Sequence, residues 1–88
     1  MTRYFFHLAG DPYERDEEGI ELDDNAAAKR QGVMSAAQMM LDNPRALLNG
    51  SDINIEITDD RGLVLFLLNV CVTNAPAGAP PESAIKWV

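Results

Sequence analysis

Ile53-Asn54-Ile55-Glu56-Ile57-Thr58, then Asp59-Asp60-Arg61-Gly62, then Leu63-Val64-Leu65-Phe66-Leu67-Leu68-Asn69-Val70-Cys71-Val72 is the stretch from which the fold is read. In the first run isoleucines alternate with polar residues, the two-residue period of a strand with one dry face and one wet face. Asp59 to Gly62 reads as a hairpin turn in which Gly62 takes the left-handed position. The last run is apolar on both faces, and such a strand is expected in the middle of a sheet, covered on both sides.

Working outward, Arg3-Tyr4-Phe5-Phe6-His7-Leu8 also alternates, with Tyr4, Phe6 and Leu8 on one face and Arg3, Phe5 and His7 on the other. Gly10, Asp11 and Pro12 stop it. Residues 11–24 are acidic, with Asp11, Glu14, Asp16, Glu17, Glu18, Glu21, Asp23 and Asp24 against Arg15. Within them Gly19-Ile20-Glu21-Leu22 fits a short strand that makes residues 3–22 an open hairpin. A helix is predicted over 25–42, capped by Asp23 or Asp24, because an Asp side chain accepts from the free amides of a first turn. Its polar stripe is Gln31, Ser35, Gln38 and Asp42, with Val33, Met34, Met39, Met40 and Leu41 in a wide apolar arc. Asn43-Pro44 stops this helix, Arg45 to Leu48 adds a turn, and Asn49-Gly50 breaks the chain.

The fold class is therefore α+β, a three- to four-stranded mixed or antiparallel sheet with one long helix packed on one face. A crossover from the first strand would set it parallel to 53–58, with 63–72 between them. Residues 1–73 form the domain, and 74–88 a Pro/Ala-rich tail, flexible or docking on a partner subunit. One helix covers only one sheet face, so a second cover is expected, and a homo-oligomer, a dimer, supplies it. Phe5, Phe66, Leu68, Met40 and Trp87 are the candidate interface.

With 88 residues the chain has room for one modest core, which excludes large multidomain enzymes. Seven Lys and Arg stand against fourteen Asp and Glu, a net charge of −7, so nucleic-acid backbones and anionic membrane surfaces are repelled. Cys71 alone makes no internal disulfide and no zinc site. The opening apolar run is too short for a signal peptide and no stretch reaches the length of a membrane span, so a reducing cytoplasm is the expected compartment.

Candidate chemistry is sparse. His7, the sole histidine, sits among aromatics in a strand, where a packed, hydrogen-bonded role is the ordinary one. Ser35, Ser51 and Ser83 lie in no nucleophile-elbow context, and Cys71 in a buried-looking strand has no cationic neighbour to activate it. Aligning Gly19 with the invariant glycine of a calcium loop places Glu14, Asp16 and Glu18 at ligand positions, but the bidentate position falls on Asn25 and the following hydrophobic position on Glu21. No phosphate-cradling glycine motif appears, and no cofactor is expected. Ala28, Gly32 and Ala36, at four-residue steps, suit a helix that approaches a sheet closely; Met34, Met39 and Met40 read as core.

The Arg3-Tyr4-Phe5-Phe6-His7-Leu8 opening, the Asp16-Glu17-Glu18-Gly19-Ile20-Glu21-Leu22 segment, the alanine-rich helix and the Asp-Arg-Gly hairpin resemble an uncharacterised family of small alphaproteobacterial proteins. The likeness runs from residue 3 to about 70, and the family implies no activity, ligand or catalytic residue. A strand, an acidic turn, a short strand and an alanine-rich helix are also similar to the opening of HicB-type antitoxin domains, which bind a small basic toxin.

The expected function is a non-enzymatic cytoplasmic interaction module that presents Asp16, Glu17, Glu18 and Glu21 to a basic protein partner. An antitoxin, or a small ligand-binding protein or enzyme using His7 at a dimer interface, are the alternatives.

Overall fold

The computed structural model describes residues 1–10 and 13–74; Trp87 and residues 75–88 of the expected tail lie outside them. The first strand, β1, is Thr2–Leu8, and the short β2, Ile20–Leu22, returns antiparallel to it, with Thr2 opposite Leu22 and Tyr4 opposite Ile20. The open hairpin expected for residues 3–22 is thus formed. Helix α1 spans Asn25–Asp42, where Asp24 Oδ1 accepts from the Ala27 amide at 2.9 Å, the capping role expected of an Asp at this position. A further turn, α2, is Arg45–Leu48, followed by β3, Ile53–Thr58, and β4, Val64–Val70. Among the described residues no helix is long and apolar enough to cross a membrane.

The sheet order is β2-β1-β3-β4, and every neighbouring pair is antiparallel. This corrects the expectation that 53–58 lies parallel to the first strand with 63–72 between them. The physical reason is β2. Three residues suffice to reverse the chain before α1, so the crossover joins β2 to β3, which run parallel with β1 between them. β3 takes the central place, and the strand that is apolar on both faces stands at the edge. At the hairpin, Asp59 Oδ1 accepts from the amides of Arg61 at 2.8 Å and Leu63 at 3.0 Å, and Gly62 adopts φ +83°. Leu65 is the extra residue of a bulge, since Ile57 pairs with Phe66 and Thr58 with Val64.

One face of the sheet carries Tyr4, Phe6 and Leu8, the β3 isoleucines, and Phe66, Leu68 and Val70, all in or against the core under α1. The helix meets them through Ala28, Gly32 and Ala36, all buried. At Gly32 the approach is closest: a Cβ there would stand 2.5 Å from Ile57 Cδ1. The small-residue stripe, rather than the wide apolar arc, is what packs down. Val33, Met34 and Leu41 point to solvent, which corrects the reading of Met34 as core; Met39 and Met40 do pack against the core. Cys71, read as buried in the last strand, lies one residue past the end of β4 and is exposed.

Candidate functional site

The opposite sheet face carries the site. Residues directly paired across strands share a face, so the pairs Phe5–Thr58 and His7–Glu56 put four side chains on the helix-free side. The segment after β1 folds over that side. Its attachment begins where Leu8 and Glu14 exchange backbone hydrogen bonds at 2.9 Å. Two residues further along the same edge of β1, the Phe6 amide finds no strand partner and donates instead to Asp16 Oδ2 at 3.1 Å. The other oxygen of Asp16 accepts from the amides of Glu18 and Gly19, both at 3.1 Å. One carboxylate therefore bridges the gap between Glu14 and β2. Gly19 closes the loop at φ +71°, pressed so close that a Cβ would meet the Tyr4 carbonyl at 2.8 Å.

His7 is 5% exposed and both ring nitrogens are engaged. The Asp16 amide donates to Nδ1 at 3.0 Å, and an amide can only donate, so Nδ1 carries no proton. The neutral ring then holds its proton on Nε2, which donates to Thr58 Oγ1 at 3.2 Å. Phe5 lies parallel to the imidazole at 6.3 Å between centroids, and Tyr13 stacks on it at 5.8 Å. Tyr13 donates its hydroxyl to Glu56 Oε1 at 2.9 Å. Burial and the adjoining Glu56 carboxylate push the Tyr13 phenol above its ordinary value.

These groups line an open cleft of about 460 Å³. The rings of Phe5, His7 and Tyr13 line it together with the carboxylates of Asp16, Glu17, Glu56, Asp59 and Asp60, with Arg15 as the cation among the described lining residues. Asp16 and Asp59 are already used by backbone donors and Glu56 Oε1 by the Tyr13 hydroxyl, which leaves Glu17, Asp60 and the second oxygen of Glu56 to meet anything that enters. Among the described residues no three His, Cys, Asp or Glu side chains converge as metal ligands would.

Of the residues singled out in the sequence, the structure brings Phe5, His7, Asp16 and Glu17 to this cleft. Glu18 is exposed beside it, and Glu21, opposite Arg3 on the same sheet face, forms an exposed ion pair with Arg3 at 3.3 Å. Phe66, Leu68 and Met40 pack against the core on the far face. Tyr13, Glu56, Thr58 and Asp60 are the residues that sequence reasoning did not place here. The wet-face alternation of 53–58 marks Glu56 and Thr58 as a pair, but only the register beside β1 sets them under His7.

Desolvation raises the Asp16 and Asp59 carboxyls, yet the backbone amides donated to each outweigh it and hold both below the ordinary 3.8. Their folded values lie below the unfolded one, so the stability they confer is complete above that range and lost as pH falls through the folded values. Urea midpoints measured from pH 6 downward should stay level and then drop through and below about 3.8, and Asp16→Asn should flatten that drop. An acid limb equally steep in the variant would show that Asp16 does not hold the loop.

The family model described as Domain of unknown function (DUF6894) matches residues 3–71, so the chain belongs to that family. The match includes both strands of the first hairpin and ends one residue past β4, as the resemblance of residues 3 to about 70 implied. No curated protein and no solved structure matches the chain.

Proposed function

We propose that this DUF6894 member is a non-enzymatic interaction module whose helix-free sheet face captures a basic segment of a partner protein. The observation that carries the proposal is the cleft itself, lined by the rings of Phe5, His7 and Tyr13 and by the carboxylates of Glu17, Glu56 and Asp60. A guanidinium is planar and weakly hydrated. It stacks on an aromatic face while its edge donates to carboxylates, so arginine suits such a recess better than lysine. The net charge of −7 draws a basic segment toward the chain and makes the association salt-sensitive. Catalysis by His7 is disfavoured by its hydrogen bonds, since a general base needs a nitrogen free to take a substrate proton.

The test is calorimetric titration of the chain with a capped peptide containing several arginines, against an equal-length glutamate peptide. Binding is expected only to the arginine peptide, weakening several-fold as salt is raised from ~0.05 to ~0.5 M. Changing Glu17, Glu56 and Asp60 together to Gln, Gln and Asn should cost about tenfold or more in affinity while the circular dichroism spectrum is unchanged. Affinity unaltered by the triple change, or no binding by the original chain, would refute the proposal.

A further inference from the structure

The composition of β4 and its position disagree. Residues 62–74 contain no charged residue and no proline, and β4 offers apolar side chains to both faces. Natural sheets guard an open edge with charge, proline or brevity. β2, the other edge, has both brevity and charge: it is three residues long and carries Glu21 in an acidic segment. β4 has none of these, its bulge at Leu65 interrupting only the end beside the hairpin, and along it and its flanks Leu63, Val64, Leu67 and Val72 are 55, 52, 74 and 56% exposed.

The backbone groups that face outward follow from the ladder. Leu8 bonds Glu14 and the Phe6 amide bonds Asp16, so even residues of β1 point toward β2, while Ala9 donates to the Asn54 carbonyl at 2.9 Å on the β3 side. Alternation then turns Ile53, Ile55 and Ile57 toward β4, where they meet Val70, Leu68 and Phe66. Leu67 and Asn69 are left with amides and carbonyls aimed away from the sheet. Such a row is satisfied by another strand.

We propose that a second copy of this chain supplies it, the two β4 strands pairing antiparallel about a two-fold axis through Leu67, normal to the sheet. Charge selects this occupant. Two chains of −7 repel over most approaches, but residues 62–74 of each carry no charge, so pairing β4 with β4 brings no like charges of the strands themselves together. The pairing yields an eight-stranded sheet in which β4 becomes the interior strand its composition describes. Both copies of α1 lie on one face of this sheet and both clefts on the other. Helix flanks add to the contact: Lys29 Nζ lies 5.2 Å from the Phe66 ring centre above β4, and Val33, one turn on, is 53% exposed.

Light scattering on the full chain after gel filtration should give twice 9.7 kDa, and Leu67→Lys should give 9.7 kDa with an unchanged circular dichroism spectrum. In a Cys71→Ser background, Leu67→Cys should form an intermolecular disulfide on mild oxidation, because hydrogen-bonded residues facing each other across antiparallel strands stand about 5.5 Å apart at Cα. A monomer at all concentrations, or a dimer that Leu67→Lys leaves intact, overturns the proposal. A monomer whose Leu67 amide is nonetheless protected from hydrogen exchange also overturns it and assigns the edge to the chain's own tail.

Discussion

Gly32→Leu is expected to leave little of the fold, and Gly32→Ala to lower stability by up to about 2 kcal/mol even though alanine is the better helix former. In an open helix the exchange of glycine for alanine gains about 1 kcal/mol. Here the new methyl would stand 2.5 Å from Ile57 Cδ1, and Ile57 is 1% exposed, so its terminal methyl can yield only by repacking within the core. Overpacking of this kind costs about 1–3 kcal/mol for a methyl and more for a branched side chain, against a total of roughly 5–10 kcal/mol for a domain of this size. Ile57→Val removes the opposing methyl at about 0.5–1.5 kcal/mol. The double variant Gly32→Ala with Ile57→Val should therefore be more stable than the two separate losses predict, by about 1 kcal/mol or more. Urea denaturation of the four proteins measures this, and simple additivity would mean that helix and sheet do not meet at Gly32.

His7→Ala is expected to cost about 2–4 kcal/mol, because the imidazole fills two hydrogen-bonding needs at once. Without it the Thr58 hydroxyl, on a residue 4% exposed, and the Asp16 amide each lose a partner, and the Phe5 and Tyr13 rings each lose the ring they stack against. His7→Phe restores the stack without the hydrogen bonds and should recover less than half of the loss. Hydrogen exchange locates the damage: the Asp16 amide should exchange faster in both variants, while amides of α1 change only with global stability. A His7→Ala protein within 0.5 kcal/mol of the parent would instead leave the ring without a structural role and return it to the candidates for ligand chemistry.

These sites differ in how far they can be read from the sequence. The strands, the capped helix, the extra turn at 45–48 and the hairpin at 59–62 are local patterns, and the structure has them where periodicity and turn residues put them. The strand order depends on Ile20-Glu21-Leu22, which is so short that its reversal of the chain carries little weight in a pattern search and yet inverts the direction of everything after it. The Ala28, Gly32, Ala36 stripe is visible in the sequence as a close-approach surface. What it displaces, the Val33 and Met34 flank turned to solvent, is not visible, because hydropathy alone favours the larger residues for burial. The cleft was half legible. Phe5, His7 and the acidic segment are adjacent in the chain, but Thr58 is 51 residues from His7 and Glu56 43 from Tyr13, and such pairings depend on register that no local signal fixes. Asp16 shows the same limit: its charge suggests a partner-facing group, and its three backbone donors make it the strut of the loop.

Amide chemical-shift mapping during titration with the capped arginine peptide shows whether the cleft on the helix-free face receives a basic side chain. Saturable shifts concentrated at Phe5, Tyr13, Glu17, Glu56 and Asp60 are expected, reversed by added salt, with α1 silent. Shifts confined to α1 or to β4, or none at millimolar peptide, would contradict binding in the cleft.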